Sequence, residues 1–461
     1  MTSTALKPAA AAVAPEEAGN LTRQVVRRFR SIAPDKQAAA RAAALSAFTD
    51  WLGVTLAGAR EPLVESLVAE AIEEGDGVRP LVGRPERLRL ADAVLVNGAA
   101  SHVLDYDDGM GAFSGHPSVS IASALFGLAA QRGQGGRAFL DAYAEAAEAG
   151  GCIGLLVAPD HYGRGFHGTA TVGAMAAAAG CARLLELDES RTCAAIGLAA
   201  ARAAGLKASF GSDAKPLQAG WAAVVGLTAA RWAARGVTGA QDPLGDRQGF
   251  AATQSRSFDP QAALQPARNG SYAADIVFKP YASCAVTHPV IDLARELRAE
   301  LGAQAGQVAA VTVRISPEAD RICNIAAPRT GMELKFSIRV LSALALAGVD
   351  LSDPESFTDE VLVRPELKAL SERATVEIDP AWPLWRHGLT LELADGTTLR
   401  REIESDTLKA SADQRRVQVR RKFGALASRR LGAERSASLL AALDDLESSA
   451  DMSALAEAVR A

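Results

Sequence analysis

From about residue 21 to residue 268 the chain reads as helix almost without interruption. Alanine is abundant, and glycine or proline punctuates segments of roughly 12–20 residues. Such a run cannot be laid into a sheet. It folds by stacking helices whose apolar faces bury one another. The spacing predicts helices over 36–57, 89–107, 117–132, 169–187 and 216–234, with Gly109 a natural terminator of the second. Proline at the first position of a helix costs nothing, because that N–H has no intrahelical partner. After Arg268 the texture changes. Val308–Ile315, Ala374–Ile378 and 389–403 alternate in strand fashion, the last around an Asp-Gly turn that predicts a hairpin. Helices are predicted between them at 286–301 and 333–347. The expected fold is therefore mainly α with a smaller α+β domain. It comprises a helical domain over 21–271, an α+β domain over 272–406, and C-terminal helices over 407–461 that return to the first.

Length and charge bound the function. A chain of 461 residues allows two or three domains and a large core. A net charge of −5 supplies no basic field for nucleic acid. The cysteines (Cys152, Cys181, Cys193, Cys284, Cys323) are odd in number and scattered, without a CxxC pair. That suits a reducing, cytoplasmic compartment rather than a disulfide framework or structural zinc. Residues 1–20 are rich in Ala and Pro and lack the basic start of a signal peptide, so a disordered tail is expected. The apolar run 169–182 is short of the roughly 20 residues a bilayer span needs, so a packed internal helix is expected and no membrane partner.

Against this apolar background, residues 102–118 (HVLDYDDGMGAFSGHPS) stand out. They crowd Asp105, Asp107, Asp108, His102 and His116 between two apolar helices. Charge of this density is expensive beside a core, which marks it as functional. Three later segments echo it: GFHGT with His167, AKPLQ with Lys215, and FKPYASC with Lys279 and Cys284. His102 and Asp105, three apart, are predicted to share a helix face. His116, His167 and Lys215 each fall at a predicted helix start. A helix N-terminus favours anions by roughly 0.3–1 kcal/mol, so a lysine there suggests a neutralising anion. The same field should keep a histidine neutral and ready to accept a proton.

Plainer readings exist for each. His102 can be a hydrogen-bonded structural histidine, and Asp107 or Asp108 can cap the loop. His161 and His387 read as surface or structural, and Trp382 with Trp385 as a packing anchor. The three aspartates could hold magnesium, as in all-helical isoprenoid enzymes. No second acidic cluster sits in a comparable setting, however, and the remaining candidates are lysines and histidines. Cys284 has no specified base beside it and reads as a small buried thiol rather than a nucleophile.

The segments NGAASHVLDYDD followed by HPS, then GFHGTATVGAMAAAA, KPLQAGWAA, FKPYASCAVTH and RTGMELKFS, in this order over roughly residues 21–440, resemble the MmgE/PrpD family. That family includes 2-methylcitrate dehydratase, cis-aconitate decarboxylase and iminodisuccinate epimerase. The resemblance implies a helical domain built from both chain ends, an α+β lid, a homodimer, and an active site between domains that uses no metal or organic cofactor. It also implies that Asp105, His116, His167, Lys215 and Lys279 line that site as catalytic groups. His102, Asp108, Cys284 and Arg339 would contact the substrate. Gly109 and Cys284 stand where decarboxylase-like members carry threonine and histidine. Arg339 stands near an aromatic position of some members and would suit a further carboxylate. The expected activity is that of a lyase, foremost a hydro-lyase acting on a citrate-like di- or tricarboxylate. The alternatives are an epimerase of an amino or imino dicarboxylate, a decarboxylase of a cis-aconitate-like acid, and a non-catalytic carboxylate-binding protein.

Overall fold

The computed structural model describes residues 19–406 and 410–461. The tail expected over 1–20 falls almost wholly outside the described residues. Helices dominate, with a two-stranded ribbon (Arg79–Pro80 and Arg87–Leu88) and a four-stranded sheet.

The helical part is built on close approach. Gly168–Leu184 is buried along nearly its whole length and packs against Ala214–Ala234, Gly136–Val157 and Pro117–Arg132. Its Ala and Gly residues allow this. A Cβ on Gly226 would lie 2.5 Å from Ala177 Cβ and 2.7 Å from Ala174 O. A Cβ on Gly98, in Leu90–His102, would lie 2.7 Å from Gly220 Cα, so those two helices meet backbone to backbone. Pro34 and Pro117 each open a helix at its first position, and Gly133 closes Pro117–Arg132 with φ 60°. Ala412–Leu431, the first of the C-terminal helices, begins at a Ser411–Gln414 capping box and packs back on Pro34–Gly58. Its Phe423 joins the helical core.

The second core is made of larger aliphatics. The sheet order is Ala374–Ile378, Val308–Ile315, Arg386–Leu393, Thr398–Glu404, with the first pair parallel and the others antiparallel. Helices His288–Leu301 and Ile338–Ala347 pack against it and each other. Val311, Val313, Ile315, Leu389, Leu391 and Leu341 are buried between these layers. The outer strand carries Arg400, Arg401 and Glu402 toward solvent, which discourages edge pairing. Val54, Val103, Leu104 and Tyr106 of the helical part belong to this second core, so the two parts share a seam.

Two predicted helices are interrupted at that seam. The helix expected over 89–107 stops at His102, and Asp105 sits beyond it with φ 49°. His102 and Asp105 therefore do not share a helix face. Gly109 is not the terminator; it forms an antiparallel bridge with Val277. The helix expected over 333–347 splits into Gly331–Leu334 and Ile338–Ala347, leaving Lys335, Phe336 and Ser337 between them. Among the described residues no single helix is long and apolar enough to cross a membrane.

Candidate active site at the seam

The turn that follows His102 carries the acids, and two helix starts face it. His116 and His167 are the N-cap residues of Pro117–Arg132 and Gly168–Leu184, both in extended conformation. The His102 and His167 rings stack with centroids 5.9 Å apart, and His102 meets His116 edge-on at 4.7 Å. Each imidazole is anchored through Nδ1. His102 Nδ1 donates to Asp107 (2.9 Å to Oδ2). His116 Nδ1 lies 3.0 Å from the same oxygen and 2.6 Å from the Asp108 carbonyl. His167 Nδ1 donates to Gln218 Oε1 at 2.9 Å.

The opposite nitrogens are open. His102 Nε2, His167 Nε2 and Asp105 Oδ2 are buried with no hydrogen-bond partner among the described residues. Buried polar atoms are almost always paired, so three unpaired acceptors in one place mark a position for another molecule. Both stacked imidazoles are neutral. Burial outweighs the pull of Asp107 and, with the Lys215 cation, brings His102 down to about 4. Burial, then His102 and Lys215, hold His167 well below its ordinary value. For His167 the direction is the one its helix-start position implied, and the cause is burial.

Two ammonium groups flank Asp105. Lys215, in the first turn of Ala214–Ala234, hydrogen-bonds Asp105 Oδ1. Lys279 reaches the same oxygen at 3.0 Å and the Asp105 carbonyl at 2.7 Å. The anion that meets the helix-start lysine is thus a carboxylate of the same chain. Burial alone would raise Asp105; Lys215 and Lys279 overcome it and hold the carboxyl well below the usual range. Burial would lower Lys279, and Asp105 with Asp107 raises it instead. A left-handed conformation at a non-glycine residue costs about 1–2 kcal/mol, and aspartate is among the residues that tolerate it. At Asp105 it turns the carboxylate toward both lysines.

The other predicted contacts are distributed around this cluster. Asp108 faces away, accepting from the Ser118 amide at 3.2 Å and from its hydroxyl, which also meets Tyr143. Burial, with Asp50 and Asp107 nearby, pushes it well above the carboxylate range. Cys284 is buried near Asp105 and Lys279; a hydrogen bond from the Cys323 thiol lowers it below an ordinary thiol. Arg339 is half-buried and donates to Asn324 Oδ1 at 3.1 Å, with no contact to the imidazoles. His161 is buried between Phe166 and the Thr171 hydroxyl, and His387 is buried in the sheet.

Donor atoms of His102, Asp105, Asp107 and His116 lie within 4.8 Å of one another, a spacing a cation could use. The chemistry of the set argues otherwise. Asp105 already accepts two ammoniums that would repel a divalent ion, and Asp107 is occupied by two imidazoles. The pattern suits proton transfer.

Asp107, read from sequence as a possible loop cap, anchors two histidines instead. Three participants were not singled out from sequence: Gln218 fixes the His167 tautomer, and Phe210 and Phe336 wall the Lys215 ammonium at 5.4 and 5.1 Å. Gln218 follows Lys215 by three residues and Phe336 lies inside the KFS segment, so both were within reach of motif reading. An open cleft of about 1260 Å³ lies beyond Lys279, lined also by Arg295, Arg298 and Lys422; it does not contain the imidazoles.

Buried imidazoles with open nitrogens and a carboxylate held by two ammonium groups thus meet between a helical body and an α+β unit. Comparison with known proteins agrees. The MmgE/PrpD N-terminal domain matches residues 20–263 and the MmgE/PrpD C-terminal domain matches residues 281–447. The chain belongs to the MmgE/PrpD family. It is 26% identical to cis-aconitate decarboxylase of Mus musculus over 396 residues, 81% of this chain and 79% of that protein. The Homo sapiens protein of the same name is 26% identical over 395 residues, 81% of this chain and 80% of its own. A cis-aconitate decarboxylase-like protein of Aspergillus oryzae is 30% identical over 201 residues, 41% of this chain and 42% of its own. The family is one of enzymes, and the cis-aconitate decarboxylases among these relatives are lyases.

Proposed function

We propose that this protein is a hydro-lyase for a citrate-like di- or tricarboxylate. The observation that carries the reading is the pair of stacked, neutral imidazoles whose Nε2 atoms are both unpaired beside Asp105 and two lysines. A substrate carboxylate takes up Lys215 and Lys279, which spread the negative charge that develops at the adjacent carbon. A neutral imidazole accepts the proton from that carbon. The Cβ–O bond breaks as the hydroxyl takes a proton from the Lys215 ammonium, and an alkene and water leave. The proton on the imidazole returns to Lys215 and resets the site. Because the groups are buried, the α+β unit lifts to admit substrate and closes to exclude water.

A second reading is decarboxylation of a cis-aconitate-like acid, favoured by the names of the relatives. It needs one proton donor at carbon and no leaving hydroxyl. Gly109 and Cys284 also depart from the residues decarboxylase-like members carry.

Proton NMR of the EDTA-treated enzyme in heavy water, with 2-methylcitrate, citrate, cis-aconitate, malate, tartrate and aspartate-derived imines, separates these. A vinyl signal from a hydroxy acid supports the hydro-lyase. Loss of carbon dioxide from cis-aconitate supports the second reading. Deuterium entering the α-carbon without elimination identifies an epimerase. No vinyl product from any hydroxy acid, and no hydration of any alkene, overturns the proposal.

A further inference from the structure

Three consecutive backbone carbonyls in the Asp105 turn accept hydrogen bonds from three buried lysines drawn from distant parts of the chain. Lys335 donates to Leu104 O at 2.8 Å, Lys279 to Asp105 O at 2.7 Å, and Lys422 to Tyr106 O at 2.5 Å. In a continued helix these carbonyls would accept from the amides of residues 108–110. Two of those amides are engaged elsewhere: Gly109 N donates to Val277 O and Met110 N to Gly115 O. The lysines thus replace the helical hydrogen bonds on one side of the turn.

Lys279 also contacts the Asp105 carboxylate and belongs to the site itself. Lys335 and Lys422 do not. Lys335 spends its remaining donors on Ala282 O at 2.9 Å and the face of Phe357, 4.3 Å from the ring centre. Lys422 ion-pairs with Asp50 at 2.8 Å and sits 3.9 Å over the Tyr106 ring. Lys335 comes from the break between Gly331–Leu334 and Ile338–Ala347, and Lys422 from Ala412–Leu431. Burying an ammonium is costly, and an aliphatic side chain would fill either position without that cost. What the amino groups supply is a fixed direction for the carbonyls on either side of Asp105. Those carbonyls set the left-handed residue between them, and with it the carboxylate.

We propose that Lys335 and Lys422 are positioning residues: they hold the turn that aims Asp105, and they make its geometry conditional on the α+β unit and the C-terminal helix being docked. The catalytic consequence rests on the hydro-lyase reading; the positioning itself does not. Hydrogen–deuterium exchange of the full chain tests the positioning directly. In Lys335→Met and Lys422→Met, amides of residues 103–110 are expected to exchange at least about tenfold faster than in the parent, while the core of Gly168–Leu184 keeps its protection. Lys335→Gln, which retains an N–H donor group, serves if the Met variant fails to fold, and should show a smaller increase.

In steady-state assays with whichever acid the parent turns over, both Met variants should lose about 100-fold in kcat, with KM changed less than about threefold. The two lysines that bind carboxylate are untouched in these variants, which is why the loss should fall on kcat. Propylamine should restore part of the kcat of Lys335→Ala in a saturable way. Unchanged exchange at 103–110 overturns the proposal, as does a loss confined to KM. If the parent turns over none of the acids, the hydro-lyase reading fails alone, and the exchange result still decides whether these lysines hold the turn.

Discussion

The two parts of the molecule are packed by opposite means. The helical part reaches its density by leaving atoms out: Gly226 lies against Ala174 and Ala177, and Gly98 against Gly220. The α+β part reaches it by filling space with Val, Ile and Leu between a sheet and two helices. The chemistry is divided along the same line. All the imidazoles and acids of the site, and Lys215, come from the helical part; Lys279, Cys284 and Phe336 come from beyond residue 278. A body packed helix on helix holds the imidazoles and acids at fixed spacing, and the second unit brings Lys279 to the same carboxylate across the seam.

The largest effect expected from breaking this division is on activity. His167→Gln keeps bulk but removes the open nitrogen, and should lower kcat by roughly 10²–10⁴-fold while leaving thermal stability near that of the parent. A comparable loss of stability would show that His167 serves packing instead. Next comes the contrast between cores. Leu341→Ala in the α+β part should cost about 2–5 kcal/mol in denaturant unfolding, as a cavity opens. Gly226→Ala in the helical part should cost about 1–3 kcal/mol by adding one methyl group. If Gly226→Ala is neutral, the helices have room and the contrast is wrong.

The smallest effect is a linkage. His102 titrates near 4 when folded and near 6.5 when unfolded, so between those values the unfolded chain binds more protons. Stability therefore falls as pH drops through that window. Asp108, held above the carboxylate range, offsets part of the fall. His102→Gln should make the slope of unfolding free energy shallower by about one proton, or about 1.4 kcal/mol per pH unit. An unchanged slope would mean that His102 carries its charge in the folded protein.

Much of this was legible in the sequence, for local reasons. His116 and Lys215 each precede a proline that opens or joins a helix, and His167 precedes a run of small residues. Their placement at helix starts follows from adjacent chain alone. The strands and the hairpin followed from alternation. The illegible parts are those set by long-range partners. The helix over 89–107 was overextended because its apolar spacing continues through Leu104 and Tyr106. What stops it is Lys335, 231 residues from Leu104, and Lys422, 316 residues from Tyr106. The break at Lys335 has the same origin, since a side chain drawn into the seam cannot also face along a regular helix. Asp107 could be read as acidic but not as the common anchor of His102 and His116. Nothing local distinguishes it from Asp108, whose carboxylate turns to Ser118 instead.

The contact between Gly98 and Gly220 works as a fulcrum. One turn beyond Gly98 lies His102, and two residues before Gly220 lies Gln218, which steers His167. The gap between the two open imidazole nitrogens is therefore gauged at a crossing of two bare backbones, outside the chamber. One methyl on Gly98 would lie 2.7 Å from Gly220 Cα, so the two levers would have to part, with every polar group of the site unchanged. The spacing of the jaws is in this sense written where the chain has no side chain at all.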